Sequence, residues 1–451
     1  MKTITAEVPP GVASRPPRRS VTLLPLIATT YFIVSGGPFG LEDLISDAGY
    51  PRTIAILIAT PLLWSLPTAL AVGELAAAYP EEGGYYAWVR RALGPFWGVQ
   101  EGWLSLVASF FDLAIYPALF TRYLGQLWAP ALQPAVAVVI GVGLIAACTA
   151  LNLRGARSAA GASVFLGVAL LSPFAALVAA SWIGPVHDPV RGAAAPAPAV
   201  FAGFAIAMWN YMGWDNASTI AGEVDDPGRT YPRTMFLTVI LVTLTYVIPV
   251  CAIAHTGLAP AEWTQGTWAL AGEKISGHGL GVALAIAGMV SSAGMMSALI
   301  MSYARLPLVL ADDGYLPRWL GRRSASTGAP IFALVVCGIA YALCLGLGFR
   351  KLVELDVVIY GASLLLELVA LVVLRIKEPN TARPFRVPGG LAGAVVVGVI
   401  PMALLAWSLT QGGDGDEGAG SVLLLAVALV LVGPALVGIR RVRRLPARAD
   451  T

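Results

Sequence analysis

Charge is scarce in this sequence: only 12% of its 451 residues are Asp, Glu, Lys or Arg, and the formal net charge is +3. So small a complement excludes the solvated surface of an ordinary soluble domain, and so slight a basic excess leaves no electrostatic footprint for nucleic acid. Cysteine is rarer still. Cys148, Cys251, Cys337 and Cys344 sit in apolar runs at unrelated spacings, which points to neither a disulfide framework nor a zinc site and reads as small core residues. The only histidines, His187, His255 and His278, fall at or beyond the ends of apolar runs and form no HExxH pattern, so no metal and no cofactor is expected. A phosphate-cradling P-loop is also missing, which argues against a built-in ATPase, and no catalytic constellation suggests an enzyme.

What the chain has in abundance is apolar length. Hydrophobic residues make up 57% of it, and the mean hydropathy is +0.76, the composition of an integral membrane protein. Apolar runs predict about twelve membrane spans, near 21–45, 52–78, 96–127, 134–152, 159–182, 199–222, 234–255, 279–310, 329–348, 352–374, 391–411 and 420–439. With residues 1–20 as a cytosolic tail, 22 of the 29 basic residues fall on the cytosolic side; the outside receives Arg52, Arg191, Lys274, Arg350 and Lys351, and Arg122 and Arg305 lie in spans. That asymmetry is the positive-inside pattern, and it predicts that both termini are cytosolic. The segment to Ser20 precedes a span too long for a secretory signal and has no small-residue cleavage site after it.

Two spans carry residues that break helices. The first span contains Ser35-Gly36-Gly37-Pro38-Phe39-Gly40-Leu41-Glu42-Asp43 and the sixth contains Asn210-Tyr211-Met212-Gly213-Trp214-Asp215. Unpaired backbone at membrane depth is tolerated only where it faces protein or a wet cavity, and a pair of such breaks in corresponding halves points to a substrate site. Breaks in spans one and six divide the first ten spans into two sets of five with opposite orientation. That is the arrangement of the leucine-transporter-like (LeuT) fold: an all-α membrane protein with a 5+5 inverted repeat and helices 1 and 6 broken. The expected organisation is a tail at 1–20, a core at 21–375 with repeats at 21–182 and 199–375, added spans eleven and twelve within 376–440, and a tail at 441–451.

Ionisable residues inside spans are costly enough to mark function. Asp112 lies near the middle of span three, between Glu101 and Arg122; it either meets a substrate ammonium or forms an ion pair with Arg122. Asp215 closes the second break, where it either caps the following half-helix or faces the cavity. Glu367 sits in span ten among leucines, as a coupling group or a structural partner. Glu42 and Asp43 either belong to the site or lie exposed at the outer end of span one, and Glu354 and Asp356 are expected to be solvated. Phe39, Tyr116, Trp209, Tyr211 and Trp214 bring aromatic faces near these acids, a combination suited to an ammonium group through charge pairing and cation–π contact. The candidate substrate-binding set is therefore Gly36, Gly37, Phe39, Gly40, Glu42, Asp112, Tyr116, Trp209, Asn210, Tyr211, Trp214 and Asp215, with Asp112, Asp215 and Glu367 as proton-coupling candidates. Protons are expected over Na⁺, although Ser291-Ser292 in span eight could join break carbonyls around Na⁺, and span five has no Lys to replace such an ion.

The stretches Gly36-Gly37-Pro38-Phe39-Gly40-Leu41-Glu42-Asp43, Pro80-Glu81-Glu82-Gly83-Gly84-Tyr85, Leu93-Gly94-Pro95-Phe96-Trp97-Gly98, Ala221-Gly222-Glu223-Val224 with Pro227-Gly228-Arg229-Thr230-Tyr231-Pro232-Arg233, Asp312-Asp313-Gly314-Tyr315-Leu316-Pro317 and Arg383-Pro384-Phe385-Arg386-Val387-Pro388 together resemble the amino acid–polyamine–organocation (APC) superfamily. Within it the chain looks most like the polyamine-uptake branch near the L-type amino acid transporters, which similarly carries an Asp before Tyr-Pro in span three, as at Asp112, Tyr116 and Pro117, and a Glu in span ten, as at Glu367. Arg122 departs from that branch, which has a second acid there, and leaves cationic or neutral amino acids open beside polyamines. The resemblance implies a LeuT-type fold and proton-driven uptake of polyamines or amino acids at the plasma (inner) membrane by alternating access. An amino acid exchanger on the same fold is the nearest rival; a nutrient-sensing receptor or channel is a further one. The partners expected are the small amine or amino acid, the coupling ion and the lipid bilayer. No disulfide-linked subunit is expected, because the loop near 128–134 contains no Cys.

Overall fold

A computed structural model of the protein describes residues 21–81, 83–154, 159–183, 197–218, 224–324, 327–411, 424–435 and 438. The predicted tails at 1–20 and 441–451, and His187, lie outside the described residues. Sixteen helices account for most of the described residues: α1 (Leu23–Val34), α2 (Glu42–Thr60), α3 (Leu66–Ala78), α4 (Gly84–Leu93), α5 (Pro95–Leu127), α6 (Pro134–Leu153), α7 (Ala159–Ile183), α8 (Ala197–Asn210), α9 (Pro227–Ile253), α10 (Thr267–Ser276), α11 (His278–Tyr303), α12 (Arg305–Asp312), α13 (Ile331–Cys344), α14 (Phe349–Lys377), α15 (Gly390–Gln411) and α16 (Leu424–Ala435). Among the described residues there is no strand, only an isolated bridge between Val21 and Val224.

Seven helical stretches among them are long and apolar enough to cross a membrane: Glu42–Ala78, Pro95–Leu127, Pro134–Leu153, Pro227–Ile253, His278–Asp312, Phe349–Lys377 and Gly390–Trp407. Shorter apolar helices occur at Leu23–Val34, Gly167–Ile183, Ile331–Leu347 and Leu424–Ala435. The chain is thus an all-helical, multi-pass membrane protein. The sequence pattern puts a gap between the first two spans that the structure does not have. The helix starting at Glu42 runs on, turning at Gly49 (φ 71°), into the stretch that ends at Ala78.

The long helix α5 is the mast of the bundle: 83% of its most apolar window is buried inside the protein, against 22% for α6. Its main neighbours are α11 and α14, with α4 across its first turns. The short helix α4 is amphipathic, with Tyr85, Tyr86 and Trp88 buried and Arg90 and Arg91 outward. This end of the bundle is laced by ion pairs. Arg90 meets Asp313 at 2.5 Å, and Arg91 meets Glu81 at 3.1 Å and Glu378 at 2.8 Å. The hydrogen bonds from Arg91 hold the Glu378 carboxyl below the ordinary carboxylate range.

Below them lies a buried cluster. Glu74 of α3 accepts from Arg375 of α14 and from the Val387 amide at 2.7 Å, and forms an ion pair with Arg383 at 3.2 Å. Glu74 and Arg375 have essentially no exposed side chain, so the cluster is one buried carboxylate shared by two guanidinium groups.

Candidate functional site

The two helix breaks lie side by side in the core. At the first, α1 ends at Val34, Ser35 is extended (φ −146°), and Gly37 and Gly40 have φ of 89° and 92°. Gly40 is required twice over. Its backbone is left-handed, and a Cβ there would stand 2.8 Å from the Trp209 ring. The freed carbonyls are not wasted: the Pro38 carbonyl accepts from Trp268 Nε1 at 2.9 Å and the Gly36 carbonyl from the Ser291 hydroxyl at 2.5 Å. The amides are also engaged, Gly37 with Ser35 Oγ at 3.2 Å and Gly40 with Glu42 Oε2 at 2.7 Å.

Glu42 therefore sits neither at a wet helix end nor on the cavity wall. It is buried, accepting from the Gly40 amide, from the Tyr123 hydroxyl and from the Gly266 amide at 3.1 Å. It staples the first break to α5 and to the start of α10. Asp43 is partly buried and accepts from Gln265 at 3.3 Å.

At the second break, α8 ends at Asn210, Gly213 has φ 89°, and a single 3₁₀ turn follows at residues 215–218. The Asn210 carbonyl accepts from Tyr246 at 2.8 Å. The Gly213 amide donates to the Tyr360 hydroxyl at 3.3 Å, and that hydroxyl donates to Asp215 Oδ1 at 2.5 Å. Asp215 also meets the amides of its own residue and of Asn216, so it caps the turn while touching a residue of the cavity wall.

Between the breaks lies a cavity of about 30 Å³, room for a water molecule or two. Gly36, Phe39, Asp112, Tyr116, Trp209 and Asn210 of the predicted set line it. Gly37, Gly40, Glu42, Tyr211, Trp214 and Asp215 do not. Tyr211 donates to the Leu57 carbonyl at 2.9 Å and Trp214 to the Tyr211 carbonyl at 2.8 Å, so both are committed to packing around the break. Tyr246, Tyr303, Tyr360, Asn216 and Met295 complete much of the wall. Tyr246, Tyr303, Tyr360 and Met295 sit in apolar stretches that no local motif marks, whereas Asn216 directly follows the second break.

Among the described residues Asp112 is the one charged side chain on that wall. Its Oδ1 accepts from Trp209 Nε1 and from the Tyr116 hydroxyl, both at 3.2 Å. The anticipated alternative, an ion pair with Arg122, is not formed: Arg122 is exposed, because its position on α5 turns it away from the seam that holds Asp112. The Tyr116 and Trp209 rings lie 6.2 Å apart, and Phe349 packs edge-on against Trp209 at 5.7 Å. An acid fixed by neutral donors and flanked by two aromatic rings can accept a cation without first breaking a salt bridge.

A second correction concerns Asp356, predicted to be solvated. It is 1% exposed, because α14 packs its face tightly against α5. Glu101 and Glu367 are also buried, away from the cavity wall.

The family model for amino acid permeases matches residues 27–432. The chain belongs to the amino acid permease family, within the APC superfamily. This permease is 35% identical over 427 residues to polyamine transporter PUT1 of Oryza sativa subsp. japonica, covering 93% of its own length and 77% of the relative. It is 34% identical over 397 residues to polyamine transporter RMV1 of Arabidopsis thaliana, covering 86% and 79%. An uncharacterized transporter of Mycobacterium tuberculosis is 27% identical over 310 residues, covering 67% and 68%. Among the described residues no cluster of His, Cys, Asp and Glu suited to a metal ion occurs in the permease.

Proposed function

We propose that this permease is a proton-coupled carrier that takes up an amine-bearing solute, a polyamine in the first instance, through alternating access of the cavity between the helix breaks. The observation that carries the reading is the wall itself. Among the described residues its only charged group is the Asp112 carboxylate, framed by Trp209 and Tyr116, with no basic side chain to repel an ammonium group. A zwitterionic amino acid needs a partner for its carboxylate as well. At the first break the Gly37 and Gly40 amides already donate to Ser35 and Glu42, and Pro38 has no N–H to offer. The names of the rice and Arabidopsis relatives support the same solute class.

Twelve spans, a 5+5 inverted repeat, cytosolic termini and a plasma-membrane location complete the reading. The breaks at 35–41 and 211–214 support the repeat, and the basic-residue asymmetry supports the orientation. Proton coupling is favoured over Na⁺ by the burial of the acids Asp112, Asp215 and Glu367, which can carry a proton inside the protein. The hydroxyls of Ser291 and Ser292, the candidates for Na⁺, line the cavity and donate to the Gly36 carbonyl at 2.5 Å and the Gly288 carbonyl at 2.8 Å.

Purified permease in proteoliposomes tests the proposal. Radiolabelled spermidine should accumulate under an inward-directed pH gradient with no sodium present. Strict dependence on Na⁺ would overturn the choice of ion, and uptake of amino acids with no competition by spermidine would overturn the choice of solute.

A further inference from the structure

Two polar stripes face each other along the buried interface of α5 and α14. On α5, Glu101, Ser105, Asp112 and Tyr116 recur at spacings of four, seven and four; on α14, Asp356, Tyr360, Ser363 and Glu367 recur at four, three and four. These spacings keep each set on one side of its helix. The helices run antiparallel across this seam: Asp356 acts electrostatically with Asp112, Ser363 touches Ser105 and Glu101, and Glu367 acts electrostatically with Glu101. The upper part of the seam belongs to the solute cavity. The lower part does not: Glu101, Ser105, Ser363 and Glu367 are all absent from its wall.

In that lower part three oxygens form a closed triangle. Ser363 Oγ lies 2.6 Å from Glu101 Oε1, Ser105 Oγ lies 2.9 Å from the same oxygen, and the two hydroxyls lie 2.7 Å apart. Each short oxygen contact needs one hydrogen, and each serine has one to give. Two hydroxyls supply two of the three. A proton on the Glu101 carboxyl group supplies the third. Glu101 Oε2, buried and without a hydrogen-bond partner, fits a neutral acid, and both oxygens of Glu367 are likewise buried without partners. A carboxylate stripped of water and partners costs several kcal/mol, and a bound proton removes that cost.

The groups facing this cluster come from every side. Asp215 at the second break, Glu367 on α14 and Arg305 on α12 act electrostatically with Glu101 on Tyr85 of α4, whose buried hydroxyl has no hydrogen-bond partner. Glu74 of α3, the next acid along this end of the bundle, is already neutralised by Arg375 and Arg383.

We propose that the Glu101–Ser105–Ser363 triangle, with Glu367 beside it, is a second proton-binding site separate from the solute cavity, through which the coupling proton leaves toward the cytosol. The inference rests on the proton-coupled reading above. In the protonated state the triangle ties α5 to α14. When the proton on Glu101 passes to water on the cytosolic side, the O–H bond breaks and a carboxylate is left. Two hydrogens then remain for three contacts, so one contact of the triangle loses its hydrogen and opens. Proton release and movement of α14 against α5 are one event. Tyr360, three residues before Ser363 on the same helix, transmits it to Asp215 and the cavity wall.

The test uses full-length protein in proteoliposomes with radiolabelled spermidine, comparing wild type, Glu101→Gln and Ser363→Ala. Glutamine mimics the protonated acid permanently. Glu101→Gln should bind spermidine and exchange it in counterflow as the wild type does, and should lose accumulation driven by a pH gradient. Ser363→Ala, which opens the triangle while leaving the acid, should weaken that accumulation with counterflow intact, and it decides the question if Glu101→Gln lacks a cooperative melting transition. Gradient-driven accumulation equal to wild type in the variants, or parallel loss of binding and counterflow in folded protein, would overturn the second site. If the wild type itself shows no gradient-driven accumulation, it is the proton-coupled reading that fails.

Discussion

The residue on which the solute reading turns is Asp112. Its hydrogen-bond donors are the neutral Trp209 and Tyr116, and both can serve a carboxamide oxygen as well as a carboxylate. Asp112→Asn should therefore leave the melting temperature nearly unchanged. A bound ammonium group, however, would lose its counter-charge in a site shielded from water, so affinity for spermidine should fall by about 2 kcal/mol or more, roughly thirtyfold. Calorimetric titration and a thermal melt of the same preparation read the two quantities, and unchanged affinity would remove Asp112 from the solute site.

Asp112, Trp209 and the Gly36–Gly40 turn are legible in the sequence because intramembrane charge and helix-breaking residues are rare enough to stand out. Tyr246, Tyr303 and Tyr360 are not, since a single tyrosine in a long apolar run looks the same whether it lines a cavity or packs against a neighbour. Glu42 is legible as unusual but not as a staple. Its partners Tyr123 and Gly266 lie 81 and 224 residues away in the chain.

At the scale of elements, the contrast between α5 and the α3–α14 contact shows where sequence patterning stops. The apolar run predicts the start of α5 within a residue of the observed one, and its content of Asp112 and Glu101 announces a helix buried on most sides. Glu74, a lone acid among alanines and leucines, announces nothing, because the arginine that compensates it is 301 residues away. The structure makes it one of the most consequential side chains at this end of the bundle. Glu74→Gln keeps the volume but removes the carboxylate, leaving the Arg375 and Arg383 guanidinium groups, 1% and 5% exposed, in apolar surroundings. A buried ion set broken in this way costs about 3–5 kcal/mol. The expected result is a marked drop in melting temperature in detergent, partly restored by adding Arg375→Gln. A wild-type melting temperature in Glu74→Gln would mean that the cluster is hydrated and contributes little.

For the whole molecule, the strongest sequence-level statement is about orientation, and it depends on parity. Each loop's side follows from the number of spans before it, so one span gained or lost inverts every later loop. The positive-inside pattern puts Arg229, before α9, in the cytosol and Lys274, at the end of α10, outside. Both side chains are well exposed, at 79% and 57%, and each makes a surface ion pair, with Asp226 and Glu262 respectively. Replacing either should cost little stability, since such pairs are worth about 0–1 kcal/mol. Arg229→Cys and Lys274→Cys can therefore report topology, in a background where Cys148, Cys251, Cys337 and Cys344 are changed to alanine. A membrane-impermeant maleimide added to intact cells should label Lys274→Cys at once and Arg229→Cys only after permeabilisation. The second break lies between α8 and α9, so Arg229 follows it, and the seventh predicted span, carried by α9, is the one that separates the two positions. Labelling of both from the same side would change the number of spans between them from odd to even. The second set of spans would then no longer be five crossings opposed to the first five, and the inverted-repeat reading of the fold would lose its geometric basis.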